Sequence, residues 1–289
     1  MEPALILKPA LPTGWRILPD AEAVAAEAAN LITAAGSEAL AARGVFRLVL
    51  AGGRTPEAAY RRLVQRDIDW GRWELFLGDE RCLPVGHPDR NSRMVWEALV
   101  SQWGPGPAST EPSGSEPPGV APEVSGPQGA YPEANFSEAN GCGASRSTSP
   151  GVRFYAIPAE LGAELAAARY GGLVARASPF DLVLLGMGED GHTASLFPGL
   201  PLGANDWTVA VHGAPKPPPE RVSLGLRALR AARQRLVLVT GASKREAIDR
   251  WRAGADLPIA RACQGLATQV LLDREAAPPG LFDGDQTPT

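Results

Sequence analysis

Cysteine and histidine, the residues that build disulfide frameworks and zinc sites, are scarce in this sequence. Its three cysteines, Cys82, Cys142 and Cys263, are widely spaced and odd in number. Such a set indicates reduced thiols in a cytosolic protein rather than the paired cysteines of a secreted one. No cysteine or histidine spacing resembles a zinc site, so the sequence predicts no metal.

The chain also lacks the charge and the apolar runs of a nucleic-acid-binding or membrane protein. Its formal net charge is −4 and its pI is near 5.5, so no basic stripe is available to replace the counterions of phosphate groups. No apolar run approaches the roughly 20 residues that span a bilayer. The amino terminus has neither the basic region nor the apolar core of a secretory signal. We therefore expect a cytoplasmic protein with no nucleic-acid or membrane partner.

Hydrophobic residues, by contrast, make up 44% of the 289 residues, enough to bury the core of one large α/β domain or two smaller ones. Apolar runs typical of buried strands occupy residues 46–50, 73–77, 152–157, 182–185, 207–211, 236–240 and 269–272. Helical patterns cover residues 20–43, 57–66, 92–103, 159–177 and 243–251. Strands that alternate with helices predict a three-layer αβα fold around a mostly parallel, doubly wound, Rossmann-like sheet.

Residues 104–150 interrupt this alternation. The segment is dense in proline, glycine, serine and glutamate and has almost no aliphatic side chains. It cannot bury enough apolar surface to offset the entropy of ordering it. We interpret residues 1–289 as a single α/β domain interrupted by a low-complexity, disordered insertion at 104–150. The alternative for the insertion is a regulatory or docking segment.

The segment at 180–199, F-D-L-V-L-L-G-M-G-E-D-G-H-T-A-S-L-F-P-G, carries the clearest chemical signal. Its apolar run stops at Gly186, and closely spaced glycines then bend the backbone sharply. Asp190 and His192 lie in this turn, at the carboxyl end of a strand, where open parallel sheets bind ligands. With only three histidines in the chain, we predict that His192 is a general base with Asp190 beside it. The alternative is that His192 is merely a solvated loop residue. After the turn, a short helix-like segment is expected from Thr193.

Residues Gly52, Gly53, Arg54 and Thr55 lead from a strand directly into a helix. Two glycines let the backbone approach a ligand closely, and the first N–H groups of a helix carry partial positive charge. Thr55 adds a hydroxyl group and is expected to cap the helix, with Pro56 as its first residue. These features predict a phosphate-binding loop. The alternative is an ordinary tight turn between strand and helix.

Three charged residues, Asp79, Glu80 and Arg81, follow the strand at 73–77. That strand is expected to neighbour the strand at 46–50, so we predict that Arg81 reaches the same crevice as the glycine pair. A guanidinium matches two phosphate oxygens with parallel hydrogen bonds. Asp79 and Glu80 would orient Arg81 or contact substrate hydroxyls. The alternative for all three side chains is a solvated loop.

Two further cations are candidates for the same anion site. Lys244 lies in the first turn of a predicted helix, where a cation is unfavourable for the helix dipole unless an anion is nearby. Arg221 follows a rigid run of three prolines, and the alternative for it is a surface salt bridge. Combined with the residues above, these cations indicate a phosphorylated small molecule, with base-assisted chemistry at its other end.

The same motifs resemble those of the 6-phosphogluconolactonases, members of a superfamily that includes glucosamine-6-phosphate deaminase. The matching segments are G-G-x-T-P at 52–56, G-D-E-R at 78–81, G-x-G-x-D-G-H-T-A-S-L-F-P at 186–198 and G-x-x-K at 241–244. The resemblance implies the deaminase fold and hydrolysis of 6-phospho-D-glucono-1,5-lactone to 6-phosphogluconate in the pentose phosphate pathway. It implies neither a metal nor an organic cofactor.

The resemblance also implies roles for the candidate residues. His192 would be the general base on water, and Asp190 would hold its orientation and tautomer. The phosphate of a sugar phosphate lactone would be held by Arg81, Lys244 and the backbone of residues 53–55. Arg54 stands where the family often has serine, and it would either add a phosphate contact or point to solvent.

Two alternative functions are weighed against the lactonase. The deaminase and isomerase branch is expected to carry a glutamate shortly after the histidine, and residues 193–198 contain no carboxylate. A catalytically silent sugar-phosphate regulator would be expected to lose the histidine or to carry a DNA-binding domain. The missing glutamate favours the lactonase over the deaminase branch, and the retained His192 favours it over a silent regulator.

Overall fold

The computed structural model describes residues 11–103, 152–265 and 267–279. The strands in these ranges are β1 (Trp15–Leu18), β2 (Phe46–Leu50), β3 (Trp73–Leu77), β4 (Asp79–Arg81), β5 (Arg153–Tyr155), β6 (Leu182–Gly186), β7 (Thr208–Val211), β8 (Arg221–Leu224), β9 (Gln234–Val239) and β10 (Thr268–Asp273). The α-helices are α1 (Ala21–Arg43), α2 (Arg54–Leu63), α3 (Asn91–Ala98), α4 (Ala163–Ala177), α5 (Leu226–Ala231), α6 (Arg245–Arg252) and α7 (Pro258–Ala262). The insertion predicted at 104–150 lies outside the described residues.

Seven of these strands form one parallel sheet in the order β1-β10-β9-β6-β2-β3-β5. Its inner strands are buried along consecutive residues: Leu48, Val49 and Leu50 of β2 are each 1% exposed or less. Consecutive buried residues mean that both faces of the sheet are covered, as in α/β proteins. The predicted three-layer, doubly wound fold class is confirmed.

The order of the strands places a crevice at the centre of the sheet. From β2 the chain moves to β3 and β5 on one side, then returns to add β6 on the other side of β2. Such a switch point leaves a crevice at the carboxyl ends of the two strands, where open α/β sheets bind ligands. The loops that follow β2 and β6 are two of those that the sequence marks as ligand-binding.

A second, antiparallel sheet in the order β4-β8-β7 begins at the carboxyl end of β3. Gly78 joins the two sheets, since its N–H donates to the Leu50 carbonyl at 2.9 Å and its carbonyl accepts from Leu224 N–H at 2.8 Å. The alternative of a solvated loop at 79–81 is therefore wrong. The strand predicted at 207–211 lies in this second sheet. A three-residue strand made only of charged side chains lacks the apolar pattern that identifies a strand.

Helix boundaries agree with the sequence for α1 and differ for α2. The Asp20 side chain caps the amino end of α1 by accepting from the backbone N–H of Ala23 at 2.8 Å. Gly44 ends the helix with a left-handed φ of 73°. Helix α2 begins at Arg54, with Gly53 as N-cap at a φ of 112°, so the predicted cap at Thr55 is wrong. The helices predicted at 92–103, 159–177 and 243–251 each include a 3₁₀ turn, namely Val100–Trp103, Ala159–Leu161 and Ala242–Lys244.

Cys82 and Cys263 carry free thiols, and Cys142 lies outside the described residues. Burial raises the pKa of the Cys82 thiol to about 11 and that of Cys263 to about 12, so both stay protonated at neutral pH. None of the helices that the structure describes is long and apolar enough to cross a membrane.

Candidate active site

The loop after β6 brings an imidazole and a carboxylate into direct contact. His192 Nδ1 lies 2.5 Å from Asp190 Oδ1, and the His192 backbone N–H donates to the same oxygen at 3.1 Å. Hydrogen bonds from Gly188 N–H to the His192 carbonyl (2.9 Å) and from Gly191 N–H to the Gly188 carbonyl (3.0 Å) close the turn. The two residues that the sequence marks for catalysis thus meet within a single turn.

Gly188 leaves the space that the imidazole ring occupies. A Cβ at this position would lie 2.0 Å from His192 Nδ1 and 2.7 Å from Asp190 Oδ1, far inside van der Waals contact. The imidazole also packs on Phe197, with ring centroids 4.5 Å apart. The ring is therefore held by a glycine, a carboxylate and an aromatic ring.

The segment after His192 is a closed turn rather than a helix. Thr193 and Leu196 form an isolated antiparallel bridge, and Ala194 has a positive φ of 48°. Thr193 Oγ1 donates to the Gly186 carbonyl at 2.8 Å, which ties the turn to the end of β6. The helix-like segment expected from Thr193 is wrong, because the left-handed backbone of Ala194 is incompatible with a continuing α-helix.

Burial lowers the pKa of His192, and the Asp190 carboxylate only partly offsets this effect. The imidazole is therefore neutral at neutral pH, and its hydrogen bond to Asp190 places the proton on Nδ1. Nε2 has no hydrogen-bond partner among the described residues and keeps a lone pair. Burial acts to raise the pKa of Asp190, but its hydrogen bonds and attraction to His192 lower it overall, so the carboxylate stays ionised.

Two guanidinium groups share one face of the small sheet. Arg81 in β4 pairs directly with Arg221 in β8, and opposite residues of an antiparallel pair point the same way. Arg221, which is buried, donates to three carbonyls of residues 216–218 at 2.9, 3.0 and 3.1 Å. Arg81 donates to the Asp89 carbonyl, and its Nε–H is buried without an acceptor among the described residues. Since those hydrogen bonds go to neutral carbonyls, the pair offers positive charge to an anion.

Asp79 links helix α3 to the loop after β6, and through Asn91 of α3 it supports the loop after β2. Its Oδ2 accepts from Ser195 Oγ at 2.6 Å and its Oδ1 accepts from Asn91 Nδ2 at 3.1 Å. Asn91 Oδ1 would lie 2.1 Å from a Cβ at residue 52, so only Gly52 fits beneath it. The Ser195 N–H donates to Ser223 Oγ at 3.2 Å. Asp79 therefore holds together three of the elements that surround the crevice.

Glu80 is fully buried and caps the amino end of α3. Its Oε1 accepts from the backbone N–H groups of Arg81 (2.9 Å) and Asn91 (2.8 Å), and its Oε2 accepts from Ser92 N–H at 2.8 Å. Arg90 Nε lies 3.4 Å from the same Oε2. Of the two roles considered for Glu80, this geometry supports the structural one, because its oxygens already bond protein donors.

The loop after β2 meets the loop after β9 at the carboxyl edge of the main sheet. Thr55 Oγ1 and Thr240 Oγ1 lie 2.8 Å apart, joining the first turn of α2 to the end of β9. No side chain among the described residues caps α2 at Gly53, so the first N–H groups of the helix remain available to an anion. Gly241 N–H donates to both carboxylate oxygens of Asp273 at 3.0 Å, which fixes the second loop.

Two lysines meet Glu189 in the loop that carries His192. Glu189 Oε2 lies 2.5 Å from Lys216 Nζ and 3.4 Å from Lys244 Nζ. The charge of Lys216 is also one of the smaller causes that lower the pKa of His192. Sequence reasoning missed Lys216, although it directly precedes the proline run that drew attention to Arg221.

Arg54 differs from the other predicted cations in having no partner. It is exposed at the first position of α2, and its side chain forms no hydrogen bond or ion pair with the described residues. Its guanidinium is free either to turn toward an anion at the helix terminus or to remain in solvent. No group of three or more histidine, cysteine or carboxylate side chains in the described ranges could hold a metal ion.

Comparison with known proteins identifies the family. The family model described as glucosamine-6-phosphate isomerases/6-phosphogluconolactonase matches residues 19–115 and 129–271. The chain belongs to this family. A 6-phosphogluconolactonase of Streptomyces coelicolor is 36% identical over 263 residues, covering 87% of this chain and 88% of the relative. One of Mycobacterium tuberculosis is 32% identical over 277 residues, covering 90% and 96%.

Solved structures show the same relationship. A 6-phosphogluconolactonase from Thermotoga maritima matches with a TM-score of 0.67 at 25% identity, covering 90% of this chain and 98% of that one. A monomeric glucosamine-6-phosphate deaminase matches with a TM-score of 0.66 at 19% identity, covering 91% and 98%, so the two share the fold. The resemblance predicted from the four motifs is confirmed.

Proposed function

We propose that this protein hydrolyses 6-phospho-D-glucono-1,5-lactone to 6-phospho-D-gluconate, in the oxidative branch of the pentose phosphate pathway. The observation that carries the proposal is His192, a neutral imidazole oriented by Asp190 whose second nitrogen is unoccupied. A neutral histidine can activate water for the hydrolysis of an ester. The cations around it can bind a phosphate group on the same substrate. The names of the relatives from Streptomyces coelicolor and Mycobacterium tuberculosis support the same reaction.

In this mechanism His192 Nε2 takes a proton from water as the water oxygen bonds to the lactone carbonyl carbon. The ionised Asp190 stabilises the imidazolium that forms and keeps Nδ1 protonated throughout. When the tetrahedral intermediate collapses, the bond to the ring oxygen breaks, and the imidazolium returns its proton to that oxygen. The products are an open-chain hydroxyl group and a carboxylic acid, which loses the second proton of the water to solvent and becomes a carboxylate.

The phosphate group supplies the binding energy that positions the lactone. We assign it to the first turn of α2 at Gly52, Gly53 and Thr55, together with Lys244 and Arg81, with Arg221 and Lys216 adding positive charge. Holding a remote phosphate converts the attack of water into a positioned reaction, which accounts for much of an enzyme's rate advantage. Asp79 and Glu80 act through the residues they hold rather than on the substrate.

The deaminase and isomerase reaction is the alternative within the family. Proton transfer between neighbouring carbons needs a carboxylate or similar group that faces the sugar. Residues 193–198 contain none, and the nearby Asp79 is buried with its oxygens bonded to Ser195 and Asn91. The net charge of −4 and the scattered cysteines support a cytoplasmic location with a small molecule, rather than nucleic acid, as partner.

The test is hydrolysis of freshly generated 6-phosphogluconolactone, measured above its spontaneous rate. We expect the wild type to accelerate the reaction and His192→Ala to lose roughly 10²- to 10⁴-fold of that acceleration. The rate should fall as the pH drops below the ordinary histidine value of 6.5, because only the neutral imidazole accepts a proton and its pKa is lowered. His212→Ala is the matched control and should retain the wild-type rate.

Circular dichroism of both variants checks that their folds are intact. A wild type that binds 6-phosphogluconate yet leaves the spontaneous rate unchanged would reject the enzyme and favour a sugar-phosphate-binding regulator. Equal losses in His192→Ala and His212→Ala would reject His192 as the base.

A further inference from the structure

Glu189 is the carboxylate that pairs with both lysines of the candidate site and offsets part of their charge. It lies in the loop after β6, Lys216 lies in the loop between β7 and β8, and Lys244 follows β9. A single oxygen, Glu189 Oε2, contacts both ammonium groups, at 2.5 and 3.4 Å. Three loops from different parts of the chain therefore converge on one acidic side chain.

This carboxylate remains charged at every physiological pH. The hydrogen bond from Lys216 is the main cause that lowers the pKa of Glu189 to about 2, and attraction to Lys244 adds to it. The Glu189 side chain is 49% exposed, so solvent and ligands have access to it. An ionised carboxylate thus stands among cations that are expected to receive an anionic ligand.

The arginines of the site are not neutralised in the same way. Arg81 and Arg221 donate to backbone carbonyls, which carry no net charge. Glu189 therefore pairs with the two lysines and with neither arginine. Asp79 and Glu80 attract Arg221 without a direct ion pair in the described ranges. A phosphate dianion has more charge and more acceptor oxygens than a carboxylate, and ammonium groups re-orient toward it readily.

We propose that Glu189 is an internal counterion of Lys216 and Lys244 that the phosphate of the substrate displaces, so that it sets the affinity of the site for phosphorylated ligands. The inference rests on the proposed function, since it takes the two lysines to face the phosphate of the lactone. In the free protein Glu189 holds the ammonium groups in place and offsets their repulsion. In the complex it repels the incoming phosphate, and its lysine contacts pass to the ligand.

The experiment is isothermal titration calorimetry with 6-phospho-D-gluconate and with inorganic phosphate, on the wild type and on Glu189→Gln. Removing the competing charge should lower Kd for both probes by roughly fivefold, the scale of one or two exposed ion pairs. The KM for the phosphorylated lactone should fall by a similar factor. An unchanged or higher Kd for Glu189→Gln would overturn the proposal.

Asp69→Asn is the matched control, because it removes the same net charge at the opposite end of the sheet. Asp69 pairs with Arg72 at 2.8 Å and is 55% exposed, close to the exposure of Glu189. Its Kd values should equal those of the wild type. If Asp69→Asn increased the affinity as much as Glu189→Gln, the effect would come from net charge alone. The proposed role of the contacts between Glu189 and the lysines would then be wrong.

The contribution of the lysines to the affinity is measured with the double variant that carries both Glu189→Gln and Lys216→Gln. The gain in affinity should shrink when one of the two ammonium groups is gone, and a gain that persists in full would contradict the counterion role. Calorimetry requires no turnover, so its outcome is separate from that of the rate assay. If neither probe binds the wild type, the counterion inference fails, while lactone hydrolysis is still judged by its own rate.

Discussion

His192 and His212 both contact carboxylates, yet their surroundings give them opposite properties. The His192 side chain is 17% exposed, and burial is the main cause that lowers its pKa. The His212 side chain is 53% exposed, and hydrogen bonds to Glu164 and Glu220 raise its pKa. Its Nδ1 lies 2.5 Å from Glu220 and its Nε2 lies 2.8 Å from Glu164.

The two histidines differ in how many of their ring nitrogens contact a carboxylate, which is one in His192 and two in His212. With carboxylates at both nitrogens, His212 favours the imidazolium form and joins α4, through Glu164, to the residues that flank β7 and β8. His192 uses one nitrogen for Asp190 and keeps the other free. Of the two histidines, only His192 therefore has what a general base needs, namely a neutral ring and one nitrogen without a hydrogen-bond partner among the described residues.

The largest expected effect comes from changing the carboxylate that orients His192. Asp190→Asn keeps the size of the side chain but offers an N–H to Nδ1, which favours the tautomer with the proton on Nε2. An imidazole in that tautomer cannot accept a proton from water, so kcat should fall by roughly a thousandfold. KM should change little, because the phosphate contacts are intact. Steady-state kinetics on freshly generated lactone measure both constants.

Glu164→Gln makes the same kind of change at the other histidine. Glu164 is 80% exposed and accepts from His212 Nε2, so its amide variant should keep the wild-type kcat. A comparable loss of kcat in the two variants would remove the distinction between the histidines. A normal kcat in Asp190→Asn would show that Asp190 does not control the tautomer.

The arrangement at His192, though not that at His212, could be predicted from the sequence because the loop after β6 is local. The apolar run of β6 and the glycines beyond it determine a strand and a tight turn within about a dozen residues, and Asp190 and His192 are two residues apart. The same holds for α1, where Asp20 and Gly44 mark both ends. Local chemistry of this kind needs no partner from elsewhere in the chain.

The parts that could not be predicted depend on pairing between distant segments. Strands β4 and β8 are only three and four residues long and carry charged side chains. They form because β4 pairs with β8 and β8 pairs with β7. Lys216 becomes a site residue only when the loop between β7 and β8 folds onto Glu189. Similarly, nothing local to Glu80 indicates that its carboxylate caps a helix that begins eleven residues later, at Asn91.

A smaller effect is expected from the glycine that makes room for the imidazole. Gly188→Ala places a Cβ within 2.0 Å of His192 Nδ1, so the ring must move away from its position beside Asp190. The backbone at residue 188 is not in the left-handed region, so the fold should tolerate alanine. A displacement on the order of 1 Å is enough to lower kcat by about a hundredfold. Kinetics, together with thermal unfolding, separate this loss from misfolding.

Gly172→Ala provides the control, since a Cβ there would meet only Arg176 at 3.7 Å, an ordinary contact within α4. It should leave kcat at the wild-type value and should raise the melting temperature slightly, because alanine favours a helix more than glycine does. Unchanged kcat in Gly188→Ala would mean that the ring position seen here is not required for catalysis.

The smallest expected effect concerns stability, and it has opposite signs at the two histidines. Folding raises the pKa of His212 above its ordinary value of 6.5, so its protonated ring stabilises the folded state. This stabilisation is fully present below pH 6.5 and is lost as the pH rises through the pKa in the folded protein. Because the pKa of His192 is lowered on folding, it destabilises the native state as the pH falls below 6.5. The free energy of unfolding of each glutamine variant, relative to the wild type, should therefore depend on pH in opposite directions.

Urea unfolding of the wild type, His192→Gln and His212→Gln across this pH range measures the difference. His212→Gln should be most destabilised at acidic pH and approach the wild type at alkaline pH. His192→Gln should gain stability relative to the wild type as the pH falls. The substitution also removes the ring contact with Phe197, but the resulting loss of stability is the same at every pH. Only the slopes matter, so a packing defect that does not titrate cannot imitate the result. Slopes of the same sign would show that the two carboxylate contacts act alike, and that burial does not distinguish the base from the link.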